Sequence, residues 1–150
     1  MKMQNVAGSL LISLALFVLS ACSSPSGIAP ITIDGIELQV IAASLHESLT
    51  VGSQEFSPKS SGDLLLLVRA TISGSDDEMD LGDWKAQVQD ESGRVTKSDM
   101  VSKTTGTVEG QEGTFLEWFF AVDEDAQQIT LKIGEHEIDL SPILDKDLED

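Results

Sequence analysis

The sequence predicts an all-β body, an antiparallel β-sandwich, on three observations. Apolar residues recur at every second position in run after run; polar segments rich in Gly, Asp and Ser separate the runs; helical signals are confined to short turns near Asp76–Leu81 and after Pro142. The first run, "ITIDGIELQVIAASL", sets Ile31 and Ile33, then Ile36, Leu38 and Val40, around an Asp34-Gly35 turn signal. The second, Asp63 to Ser73, puts Leu64, Leu66, Val68, Ala70 and Ile72 on one parity. Next, Trp84, Ala86 and Val88 oppose Lys85, Gln87 and Gln89, and "ESG" at 91–93 turns the chain into "RVTKS". Thr114 to Val122 aligns Leu116, Trp118, Phe120 and Val122. The last runs carry Ile129, Leu131 and Ile133, a turn near Gly134, then Ile138 and Leu140. Shared parity predicts one core holding Leu66, Val68, Ile72, Trp84, Val88, Trp118, Phe120, Leu131 and Ile133. No internal repeat is visible.

The start of the chain has a different grammar. Lys2 is followed by an uncharged run from Val6 to Leu19, shorter than the roughly 20 residues of a membrane span, with small residues Ser20 and Ala21 behind it. That is the layout of a signal peptide. Leu19-Ser20-Ala21-Cys22 resembles a bacterial lipobox. The resemblance implies cleavage after Ala21, a diacylglyceryl group on the Cys22 sulfur, and an N-acyl group such as palmitate on the freed amine. It also implies a lipid-anchored, extracytoplasmic protein of the cell envelope. In a Gram-negative source, Ser23 would go with the periplasmic side of the outer membrane. Three segments are thus expected: a signal peptide over 1–21, a flexible tether over 22–30, and a domain over 31–150 with an acidic C-terminal tail. The uncharged, Ser/Gly/Pro-rich stretch Ser23 to Pro30 reaches about 26 Å when extended.

Charge narrows the partners. The chain has 26 acidic and 9 basic residues, a formal charge of −17, and all the acids follow Cys22. Such a body repels nucleic acid and anionic lipid headgroups, so contact with the membrane is expected through the anchor alone. Two or three acyl chains suffice for lasting attachment, whereas a single chain binds only marginally. Cys22 is the only cysteine, so no internal disulfide forms and the core itself must stabilise the domain.

Three segments carry a second resemblance: "LLLLVRATISGSDDE", "LGDWKAQVQDESGRV" and "EGQEGTFLEWFFAVDEDAQQITLKI". In this order they are similar to the telokin-like immunoglobulin-fold domains of bacterial lipoproteins and secreted antigens. Gly74-Ser75 stands where those domains carry an Asn-rich turn, and Glu112-Gly113 lacks their preceding proline. The resemblance spans about Ile31 to Leu140. It implies an immunoglobulin-like sandwich and an envelope habitat; the family itself is mostly of unknown function.

Catalytic patterns do not stand out. There is no G-x-S-x-G, Cys22 is committed to lipid, and tyrosine is absent. His46 ends the first long strand and His136 lies between Glu135 and Glu137; both read as solvated side chains, and no enzyme is expected. In "SDDEMDLGD", the acids Asp76, Asp77, Glu78 and Asp80 have some of the spacing of a calcium loop. Leu81 and Gln87, however, occupy the positions where an EF-hand needs Gly and Glu. Solvated acidic loops are the simpler reading, with a weak calcium site as the alternative. Alternation also points Leu65, Leu67, Phe115 and Phe119 away from the core set, which predicts an apolar patch suited to a protein partner. The competing expectation is that the first strand, or the tail around Ile143, Leu144 and Leu148, covers them. The function these features support is a lipid-anchored, non-enzymatic interaction module of the bacterial envelope with an envelope protein partner. The alternatives are an accessory or inhibitor protein binding one partner, or a weak calcium- or small-ligand-binding domain.

Overall fold

The computed structural model describes residues 27–74, 84–108 and 110–146. Twelve strands form in this order: β1 (Ile31–Ile33), β2 (Ile36–His46), β3 (Leu49–Val51), β4 (Gln54–Phe56), β5 (Asp63–Ser73), β6 (Ala86–Asp90), β7 (Val95–Lys97), β8 (Met100–Val108), β9 (Gln111–Asp123), β10 (Ile129–Ile133), β11 (His136–Asp139) and β12 (Leu144–Asp145). The larger sheet runs β1-β2-β5-β9-β8, with β12 also on β2; the smaller runs β11-β10-β6-β7; β3 and β4 pair as a separate hairpin. All pairings are antiparallel except β12 on β2. The expected all-β sandwich is the fold. Among the described residues, no helix is long and apolar enough to cross a membrane.

The inner faces of the two sheets meet as period-two patterning demands. From β5 come Leu66, Val68 and Ala70; from β9, Leu116, Trp118 and Phe120; from β10, Ile129, Leu131 and Ile133; all are buried in one cluster with Trp84 and Val88. Every residue assigned to the core from the sequence belongs to it. Turn chemistry also agrees. Asp34 (φ 51°) and Gly35 (φ 82°) both take positive φ, the requirement of a two-residue hairpin turn whose twist matches its strands. At the C-terminal end, a short 3-10 turn covers Ser141–Ile143 around Pro142.

Other features departed from the sequence reading. Ile28 packs into the core, inside the stretch expected to be a flexible tether. A bulge between Val40 and Ala42 shifts the inward parity of β2 from Leu38 and Val40 to Ala43 and Leu45. Strand β8, "MVSKTTGTV", carries no apolar alternation, because it lies at a sheet edge and owes its conformation to hydrogen bonds with β9. The three-residue strands β3 and β4 are too short to show a period.

Phe120 is fully buried, whereas Val95 is 50% exposed. Phe120→Ala should therefore cost about 3–5 kcal/mol, and Val95→Ala should stay within about 0.5 kcal/mol of the parent. Urea unfolding of both variants reads the difference.

Candidate functional site

Between Lys97 and Met100 the chain leaves the smaller sheet and joins the larger one. The Ser98 N–H donates to the Ala86 carbonyl of β6 (3.2 Å), and the next N–H, of Asp99, donates to the Phe119 carbonyl of β9 (2.8 Å). Beside this crossing the sheet edges enclose a cavity of about 490 Å³. Trp84, Ala86, Met100, Val101 and Trp118 supply its apolar wall; Lys85, Gln87, Lys97, Ser98 and Asp99 supply polar groups. Trp84 sits just before β6, and Trp118 faces Val101 in the β8–β9 register. Trp118 is 1% exposed, and its Nε1–H is buried with no acceptor. An unmet buried donor costs about 1–3 kcal/mol, so this wall is polar-deficient as well as open at its edge. The Ser98 hydroxyl donates to the Met100 carbonyl, with the Phe119 carbonyl 3.4 Å away. It is thus held by backbone acceptors.

Arg69 pairs with Glu117 (2.8 Å), Arg94 with Asp63 (2.8 Å) and Lys132 with Glu137 (2.9 Å). Lys146 donates to the Ala126 carbonyl and to Gln127 Oε1. Among the described residues, the side chains of Lys85 and Lys97 form no ion pair or hydrogen bond; those of Lys59 and Lys103, which do not line this cavity, form none either. The sequence placed Lys85 and Gln87 opposite Trp84, but no local signal connects them to Lys97 or Trp118, which arrive from other strands. The usable clue was compositional: the chain has two tryptophans, and both line this cavity.

The apolar patch expected on the outward face of the larger sheet is not open. Phe115 is 0% exposed, Leu65 3% and Phe119 5%; Leu67 is half-buried. The Phe119 ring stacks on Phe56 of β4, with centroids 6.4 Å apart. The described ring over Phe119 is therefore that of Phe56, from the β3–β4 hairpin. Alternation fixes which face a side chain takes, but whether that face is covered depends on segments elsewhere in the chain. Between the Phe115 and Phe119 levels runs a polar row, where the Arg69–Glu117 pair also receives Ser102 Oγ at 3.4 Å.

Several acidic groups among the described residues act as acceptors for turns. Asp90 Oδ1 accepts from the Ser92 N–H (2.9 Å), the Ser92 hydroxyl (2.6 Å) and the Arg94 N–H (3.0 Å). The Glu91 carboxylate accepts from the Gln127 and Gln128 N–H groups. Asp139 accepts from the Ser141 hydroxyl and N–H. Those hydrogen bonds hold all three carboxyls below their ordinary values: Ser92 chiefly for Asp90, the Gln127 N–H chiefly for Glu91, and Ser141 for Asp139. Asp63 is likewise held below its ordinary value of 3.8, first by its hydrogen bonds from Arg94 and less by that residue's charge. A cavity of about 290 Å³ at this end is lined by Asp90, Glu91, Asp123 and Asp125. Among the described residues, no group of three or more His, Cys, Asp or Glu side chains is arranged to hold a metal ion.

Cys22 and the acidic quartet Asp76, Asp77, Glu78 and Asp80 lie outside the described residues. His46 shares a 2.7 Å hydrogen bond with Ser44 Oγ, and His136 starts β11 opposite Ile133. Comparisons with protein-family models, curated proteins and solved structures find no match for this chain.

Because Phe119 is buried, Phe119→Ser should destabilise the domain by about 3 kcal/mol or more. A melting temperature equal to the parent's would contradict its burial. Arg94→Gln should cost about 1 kcal/mol or less at pH 7, since the Arg94 side chain is 40% exposed and solvent screens the pair. The folded Asp63 pKa is depressed, so this contribution is complete above 3.8 and vanishes as pH falls through the lowered folded value. Melting curves of parent and Arg94→Gln should converge in that acid window.

Proposed function

We propose that this chain is a lipid-anchored, non-enzymatic binding module of the bacterial cell envelope, with the Trp84–Trp118 cavity as its ligand site. The cavity is the observation that carries the binding reading. Its volume of about 490 Å³ lies within the range of small-molecule sites, about 300–1,000 Å³, and it combines an apolar wall with a few polar groups. Such sites are typically lined mainly by apolar and aromatic side chains, with few polar groups to orient the ligand. The backbone-held Ser98 hydroxyl favours binding over nucleophilic chemistry, which would need a base beside it.

The anchoring half rests on Leu19-Ser20-Ala21-Cys22 after the uncharged run. The likeness to telokin-like lipoprotein domains supports the same habitat. Phe115 and Phe119 are buried, so the outward sheet face presents neither ring to a protein partner. Labelled palmitate and intact mass test the anchor. The parent should incorporate the label and begin at an acylated Cys22; Cys22→Ser should take up no label and retain residues 1–21. A Cys22→Ser protein that is still labelled, or still loses residues 1–21, would sink the anchoring half.

A further inference from the structure

Taking the cavity as a ligand site, we infer that its ligand is a compact organic anion: an apolar, ring-sized body bearing a carboxylate or a similar acidic group. This inference rests on the binding reading above and adds the sign of the ligand's charge. Two observations supply it. The apolar wall brings two indoles and Val101 together, which suits an uncharged ring or branched body. At the same cavity lie Lys85 and Lys97, both exposed and both without a partner among the described residues. Among the described lining residues Asp99 is the single acid, so two cations stand against one anion there.

That local sign is opposite to the charge of the whole chain, −17, so range decides which is felt. At physiological ionic strength the Debye length is about 8 Å, so remote carboxylates are largely screened while charges at the cavity still act. Of the described charges lining the cavity, an anion at this site meets Lys85, Lys97 and Asp99. Of the other described basic side chains, Arg69, Arg94 and Lys132 are engaged by acids and Lys146 by the Ala126 carbonyl and Gln127, while Lys59 and Lys103 are unpaired but do not line the cavity. The buried Trp118 Nε1–H adds a donor that an acidic oxygen could satisfy after a small shift of the wall.

The protein carries its own reporter. Both of its tryptophans line the cavity and tyrosine is absent, so intrinsic emission comes from this site alone. A bromine atom quenches indole emission on close contact. Titrating the purified full chain with 4-bromophenylacetate and, separately, with 4-bromobenzylamine compares nearly the same ring at opposite charge. The carboxylate should quench saturably, with half-saturation about tenfold below that of the amine. The double variant Lys85→Glu/Lys97→Glu changes only exposed side chains; it should keep the parent's melting temperature and lose or invert that preference. Saturable quenching that is equal for both probes, or stronger for the amine, would overturn the anion assignment while leaving a binding cavity. Absence of saturable quenching by either probe would overturn the cavity as a ligand site as well. A preference for the carboxylate that survives the double variant would show that Lys85 and Lys97 do not create it, and would also overturn the inference.

Discussion

The antiparallel pairing of β5 with β9 is the constraint from which the rest of the structure follows. It runs unbroken from Asp63↔Asp123 to Ile72↔Thr114. One register sets Leu66 beside Phe120, Val68 beside Trp118 and Ala70 beside Leu116 on the inner face. The same register sets Leu67 beside Phe119, Arg69 beside Glu117 and Thr71 beside Phe115 on the other. A slip of one residue would exchange the two faces and put Arg69 and Glu117 into the core. Both strands are also interior to their sheet, flanked by β2 and β8, so their backbone hydrogen bonds are satisfied on both sides. This explains why β5 and β9 read as nearly continuous apolar runs: both of their faces are covered.

The open side of the molecule lies where that order ends. β8 is the last strand of the larger sheet and β7 the last of the smaller, and the crossing at Ser98-Asp99 ties the two edges together. Among the described residues no further strand lies beyond these two edges to cover the side chains there. The cavity, its two indoles and the side chains of Lys85 and Lys97 all occur at this boundary. Strand order thus separates a region built for stability from one with room for a ligand.

Several of the described acids sit at the ends of strands. Asp90, Glu91 and Asp139 bind backbone N–H groups of tight turns, replacing hydrogen bonds that strand pairing cannot supply there. Arg94 reaches from the β6–β7 hairpin to Asp63 at the start of β5, linking the two sheets at one end. These contacts are exposed and individually weak, so their effect is to fix loop geometry more than to hold the sandwich together. Burial of the inter-sheet cluster does that.

Local chemistry made much of this legible in the sequence. Alternation at Leu64 to Ile72 and at Leu116 to Val122 identified the inward faces, because successive strand side chains must point to opposite sides. Asp34-Gly35 and Glu91-Ser92-Gly93 marked turns, because few residues tolerate the backbone angles that such turns need. Leu19 to Cys22 carries the proposed processing site, because such chemistry is read from a short linear motif. Tertiary structure decided the remainder. The burial of Phe119 under Phe56 depends on a hairpin far away in sequence, whose three-residue strands carry no period of their own. The strand β8 exists because β9 offers a free edge to it, and its Thr- and Lys-bearing sequence gives no such sign. The cavity gathers Trp84, Lys97, Val101 and Trp118 from four separate segments. Which residues share a strand face is fixed by neighbours in sequence; which faces are covered, and where a space is left, is fixed by neighbours in space.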